Sequence, residues 1–166
     1  MLSPSTKPRI VHRAACALAL ALLAAPAQAQ RGAGPFAGLT GTWTGTGVVT
    51  LASGSNERIR CRAAYDGTGD GTHLRLNLLC ASDSYKFDLR GDVRSQGGSL
   101  SGQWSEASRG ASGTVSGSAG PGQVQALVDG PGFTANLSLS TQGDRQSVTI
   151  RSQGTDVRQI SITLKK

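Results

Sequence analysis

From residue 41 onward, apolar side chains recur at every second position in one stretch after another, the pattern of β-strands with one dry and one wet face. The clearest run is Ile59 to Leu89. Ile59, Cys61, Ala63 and Tyr65 alternate with Arg58, Arg60, Arg62 and Ala64; Leu74, Leu76, Leu78 and Cys80 alternate with His73, Arg75, Asn77 and Leu79; and Tyr85, Phe87 and Leu89 alternate with Lys86, Asp88 and Arg90. Ten such stretches are expected, near 41–51, 57–66, 72–81, 84–93, 98–106, 110–118, 122–129, 132–141, 145–153 and 157–164. Clusters of Gly, Asp, Asn and Ser separate nearly all of them, at the spacing of an all-β sandwich or barrel.

The segment 95–122 is rich in Ser and Gly and admits two readings, a loose loop or strands with small inward residues. Leu100, Gly102 and Trp104 keep the alternation, as do Ala111, Gly113, Val115 and Gly117, which favours strands. Short connections imply an antiparallel meander, and closing it removes free edges. The expected fold is therefore all-β, a single antiparallel up-and-down β-barrel of about eight to ten strands, with a sandwich as the alternative.

Register sharpens the picture. Placing Cys61 opposite Cys80 across a turn near Gly67 to Gly71 also sets Arg58 against Asp83 and Arg75 against Asp66, so a Cys61–Cys80 disulfide is expected. Setting Cys80 opposite Tyr85 and Leu78 opposite Phe87 in the next hairpin brings His73 to Asp92 on the wet side.

The first 29 residues read as a cleavable signal peptide: Lys7, Arg9 and Arg13, then an apolar run from Ala14 to Ala25, then Ala27-Gln28-Ala29. The apolar run has 12 residues, fewer than the ~20 of a membrane span. Residues 30–38, mostly Gly, Ala and Pro, read as a flexible N-terminal arm, and 39–166 as the barrel domain. Two cysteines outside the leader fit an oxidising compartment, and a periplasmic or secreted location in a Gram-negative bacterium is expected. Three of the 17 Lys and Arg lie in the leader, so 14 face 10 acidic residues, a net of +4. These charges are interspersed along strands, which argues for a solvated exterior and against nucleic acid. An outer-membrane barrel is set aside, because its apolar residues would face lipid between aromatic girdles, and this chain has few aromatics.

Little in the chain suggests catalysis. His73 is the only histidine after the leader, so neither a multi-histidine metal site nor a two-histidine relay can be built, and no Gly-x-Ser-x-Gly elbow or phosphate loop occurs. Asp66 to Gly71 has the look of half a calcium loop, but position twelve is Asn77 instead of Glu, and a Gly/Asp-rich hairpin turn accounts for it better. No cofactor, metal or catalytic residue is assigned, and the chain is not read as an enzyme. Glu106 shares the inward parity of Trp104, which makes it either a barrel-mouth anchor with a burial-raised pKa or an exposed strand end. Tyr65, Tyr85, Phe87 and Trp104 either line a cavity or fill it.

Gly41-Thr42-Trp43, preceded by Leu39, resembles the Gly-x-Trp first strand of lipocalins, related calycin barrels and avidins. The resemblance to lipocalins implies that Trp43 lies across the barrel floor beneath a basic side chain from the last strand, for which Arg158 has the parity of Ile160, Ile162 and Leu164. The order Trp43, Cys61, Cys80 after a loose arm also resembles small periplasmic inhibitors of secreted metalloproteases, whose arm enters the protease cleft. The chain as a whole is similar to exported proteins of Gram-negative bacteria, a likeness that implies a compartment and no activity. Two non-catalytic roles follow. One is a barrel holding a small apolar or amphipathic ligand, with Trp43, Tyr65, Leu76, Tyr85, Phe87, Trp104 and Glu106 as candidate lining residues. The other is a protein-binding envelope module that captures its partner through Gln30 to Gly38.

Overall fold

The computed structural model describes residues 33–166; the expected leader, 1–29, and the start of the expected arm, 30–32, lie outside the described residues. Ten strands follow one another: β1 (Gly41–Leu51), β2 (Asn56–Gly67), β3 (His73–Ala81), β4 (Lys86–Gln96), β5 (Ser99–Glu106), β6 (Ala111–Gly120), β7 (Gln123–Gly130), β8 (Phe133–Gln142), β9 (Arg145–Gln153) and β10 (Val157–Lys165). Each pairs antiparallel with the next, and β10 returns to β1, closing the barrel. The Ser/Gly-rich middle forms β5 and β6. Among the described residues no helix is long and apolar enough to cross a membrane.

Alternation explains why these segments pair as they do. On β2 the inward residues Ile59, Cys61, Ala63 and Tyr65 are buried while the arginines between them are exposed. Slipping any strand by one residue would turn its apolar set outward, so burial fixes register. Gly117 shows what closure demands: its φ is 151°, and a Cβ there would lie 2.1 Å from the Gln125 carbonyl oxygen on β7. The two-residue turn Gly97-Gly98 has φ of 57° and 85°, values that glycine adopts at little cost.

Cys61 stands opposite Cys80 and is disulfide-bonded to it, both residues being buried on the inner wall. Asp66 pairs with Arg75 as the same register requires, at 3.8 Å between charged atoms. Arg58 does not meet Asp83. The β2–β3 ladder begins at Arg60 and Ala81, and the loop beyond it folds onto Glu57, which accepts hydrogen bonds from the Ser82 hydroxyl and the Ser84 backbone N–H.

The β3–β4 register differs from expectation by two residues: Cys80 faces Phe87 and Leu78 faces Leu89, with Tyr85 left in the turn. A shift of two preserves which side chains face inward. His73 consequently stands opposite Arg94, yet its Nε2 reaches Asp92 diagonally at 2.7 Å.

Arg158 is not at the barrel floor. The β1–β10 register shifts between Thr50 and Leu51, which face Gln159 and Val157, so Arg158 is the extra residue of a bulge. The bulge turns Val157 inward against the core and leaves Arg158 exposed, at the end of the barrel remote from Trp43.

Candidate functional site

The two ends of the barrel are built differently. At the end holding the β2–β3, β4–β5, β6–β7 and β8–β9 turns, the terminal inward residues Trp43, Tyr65, Leu74, Ser95, Leu100, Ala119, Val124, Gln146 and Leu164 are all buried. Residues 33–40 close it. Gly34 N–H bonds to the Asp70 carbonyl at 2.8 Å and Phe36 N–H to that of Gly71 at 3.0 Å, which seats Phe36 and Leu39, each 2% exposed, in the mouth. The described part of the expected loose arm is thus a plug, because Phe36 and Leu39 supply the apolar surface that the small strand residues lack.

Trp43 anchors the plug. Its indole N–H donates to the Leu39 carbonyl at 2.8 Å, and Tyr65 meets its ring edge-on at 6.4 Å. The basic side chain over Trp43 is Lys166, whose Nζ lies 5.7 Å from the ring and donates to the Gly38 carbonyl at 2.9 Å. Tyr65 donates its hydroxyl to Gln146 Oε1 at 2.5 Å, and Gln146 Nε2 donates to Thr141 Oγ1 at 3.1 Å, so the buried polar atoms are paired. Burial pushes the Tyr65 phenol well above its ordinary 10.0.

Above the plug the lumen changes character. Leu76, Leu78, Val93, Val115, Leu137, Leu139 and Ile150 point inward, yet each remains only partly buried. They pack against the core less completely than the plug residues do, while Val49, Ile59, Cys61 and Ala63 on β1 and β2 stay buried beyond the plug. Composition is the reason: the belt's other inward positions include Gly91, Gly102 and Ala126, which leave the centre to longer neighbours.

The opposite end carries the β1–β2, β3–β4, β5–β6, β7–β8 and β9–β10 turns. Tyr85 and Phe87 stack there at 6.1 Å with planes 4° apart, and the Arg109 guanidinium lies 5.2 Å above the Phe87 ring. Trp104 is held against the wall, its indole N–H donating to the Asp129 carbonyl at 2.9 Å and its ring packing on Phe133 at 5.5 Å. Gly113 and Gly130 make that seat, since a Cβ on either would come within 2.8 Å of the indole.

Glu106 is buried at this rim, against both sequence readings in part: it is neither exposed nor raised in pKa. Desolvation pushes its pKa up, but backbone N–H groups of Asp88, Ser108 and Arg109, at 2.9, 3.1 and 2.8 Å, outweigh it and hold the carboxyl below its usual value. The carboxylate caps the β5–β6 turn. Outside the barrel, a hollow of about 510 Å³ runs over β2 to β6 and is framed by outward side chains such as Arg75, Arg90, Asp92 and Gln103. The His73–Asp92, Arg75–Asp92 and Arg75–Asp66 contacts cross its edge. No nucleophile stands beside that histidine among these contacts.

The predicted lining residues therefore fall in three places. Trp43 and Tyr65 belong to the packed plug, Leu76 to the belt, and Tyr85, Phe87, Trp104 and Glu106 to the rim. Sequence reasoning missed Phe36, Gln146, Lys166 and Arg109. Phe36 had a signal, as the lone aromatic in a Gly/Ala/Pro segment; Gln146 had inward parity with Val148 and Ile150, which its polarity masked.

No family model matches the chain, and no curated protein matches it in sequence. Its structure is similar to the solved structure of Rv2717c from M. tuberculosis, with a TM-score of 0.59 at 14% identity over 80% of this chain and 92% of that one. At that identity the likeness is one of fold.

Proposed function

We propose that this protein is a non-catalytic carrier, exported to the periplasm or beyond, that holds a small apolar or amphipathic ligand in its lumen. The observation that carries the reading is a closed barrel, covered at one end by residues 33–40, whose inward apolar side chains Leu76, Leu78, Val93, Val115, Leu137, Leu139 and Ile150 are only partly buried. Such a chamber removes apolar ligand surface from water at ~25 cal/mol per Å², while the plug limits entry to the rim. The buried Cys61–Cys80 bridge and the leader-like first 29 residues support the exported setting. Capture of a protein partner through the arm draws no support from residues 33–38, whose Phe36 is spent on the plug.

A lumen-filling variant tests the proposal. Leu137→Trp places an indole in the belt, and it should abolish binding of an apolar fluorescent probe that the parent protein takes up, with the circular dichroism of the barrel unchanged. Equal probe binding by parent and variant would refute a lumenal site. Native mass spectrometry of protein recovered from the periplasm should show a co-purified small molecule.

A further inference from the structure

Charges that are interspersed along the chain are gathered by the barrel onto one wall. The outward positions of β5 to β8 are almost wholly Ser, Thr, Gln and Asn, with Asp129 their one charge. β2 instead turns Arg58, Arg60 and Arg62 outward in a row, and Lys86 on β4 lies level with Arg60 across Ala81. All four are exposed, and among the described residues none of them forms an ion pair. The outward acids of β2 and β4 stand elsewhere: Asp66 and Asp92 flank Arg75, and Asp88 meets Arg90 at 4.0 Å. Two exposed apolar side chains border the row, Val48 opposite Arg58 at 37% exposure and Leu79 opposite Arg62 at 42%.

We propose that this wall docks on an anionic lipid bilayer, with β2 as the line of contact. A barrel wall is convex, so it meets a plane along one strand, and the strand that bears the unpaired arginines is the one required. Guanidinium groups bind phosphate oxygens through paired N–H donors, while aliphatic side chains on either flank enter the apolar layer beneath the headgroups. A nucleic acid fits less well. It would leave Val48 and Leu79 against its own polar backbone, and the outward positions of β1 to β4 hold no Phe, Tyr or Trp on which a base could stack. The surface lies outside the barrel and is independent of what the lumen holds.

The test is co-sedimentation of the full chain with vesicles of phosphatidylcholine, alone or mixed with phosphatidylglycerol. The parent should partition onto the mixed vesicles and not the neutral ones, and added salt should release it. Arg60→Gln should weaken partitioning about fivefold, and Arg60→Gln with Arg62→Gln about 25-fold. A pair of equal charge on β9, Arg145→Gln with Arg151→Gln, should cost no more than about twofold. Leu79→Gln should weaken vesicle binding severalfold and leave binding to dextran sulfate, a soluble polyanion, unchanged. Thermal melting should be unaltered in every variant, since these side chains lie outside the core. A parent that stays in solution with the mixed vesicles, or equal losses from the β2 and β9 pairs, would overturn the docking surface. Vesicle binding that Leu79→Gln does not weaken would overturn the lipid assignment and mark the row as a site for soluble polyanions. None of these outcomes alters the carrier reading.

Discussion

The plugged end and the belt above it are made from the same alternating strands, yet the inward side chains of one are buried and many of the other's are only partly so. At the plug nine of the ten strands end on a buried inward residue, β8 ending on the partly buried Thr141, and two side chains from outside the strands, Phe36 and Leu39, occupy what is left of the mouth. In the belt the inward positions mix leucine and valine with glycine and alanine, and on β3 to β9 many of them are only partly buried, while Val49, Ile59 and Ala63 on β1 and β2 remain fully so. Closing a sheet thus makes an interior but does not fill it. Filling requires volume, and here the volume comes from a segment that is not a strand.

The contrast predicts unequal costs for truncating side chains at the two levels. Trp43→Ala should produce the largest loss, about 4 kcal/mol in urea unfolding, because a fully buried indole leaves a cavity and orphans the Leu39 carbonyl. The plug should also loosen, read as faster hydrogen exchange at Gly34 and Phe36, whose N–H groups bond to the β2–β3 turn. A loss below about 1 kcal/mol would mean that this end is no better packed than the belt.

What the sequence shows and hides follows from the same physics. Alternation is a local property, so all ten strands are readable from it, and pairing Cys61 with Cys80 then fixes the β2–β3 register. The β3–β4 register is off by two because a shift of two preserves alternation, and only the turn geometry that leaves Tyr85 unpaired decides between them. The bulge at Arg158 reverses parity within a strand, which no period-2 rule anticipates. The plug is hidden for another reason: the Gly- and Pro-rich arm docks through backbone hydrogen bonds, and a Gly34 Cβ would collide with Gly71, so the contact lies in absent side chains.

The rim offers the next largest effect, confined to the other end. Glu106→Gln puts an amide where three N–H groups need an acceptor, and about 2 kcal/mol should be lost. Exchange should quicken at Ser108 and Arg109 while Gly34 and Phe36 keep their protection. The pH dependence has a fixed sign. The carboxyl titrates lower in the folded state than its ordinary 4.5, so its contribution is present above that value and fades as the pH falls through the folded one. The glutamine variant should lack this acid limb, and an unchanged limb would assign it to other carboxylates.

The smallest effect is the most discriminating. Leu137 points inward from β8, opposite Ala126 and Ile150, as Trp43 does from β1, but it is only partly buried. Only the part in contact with the wall is lost on truncation, so Leu137→Ala should cost about 1 kcal/mol, below the 2–5 usual for a packed leucine. On the carrier reading the space it frees enlarges the ligand's chamber, and a bulkier apolar probe should then bind at least as well as to the parent. If Leu137→Ala costs as much as a core truncation, the belt is packed, the inward residues merely fill the barrel, and the plug and the lumen are one continuous core.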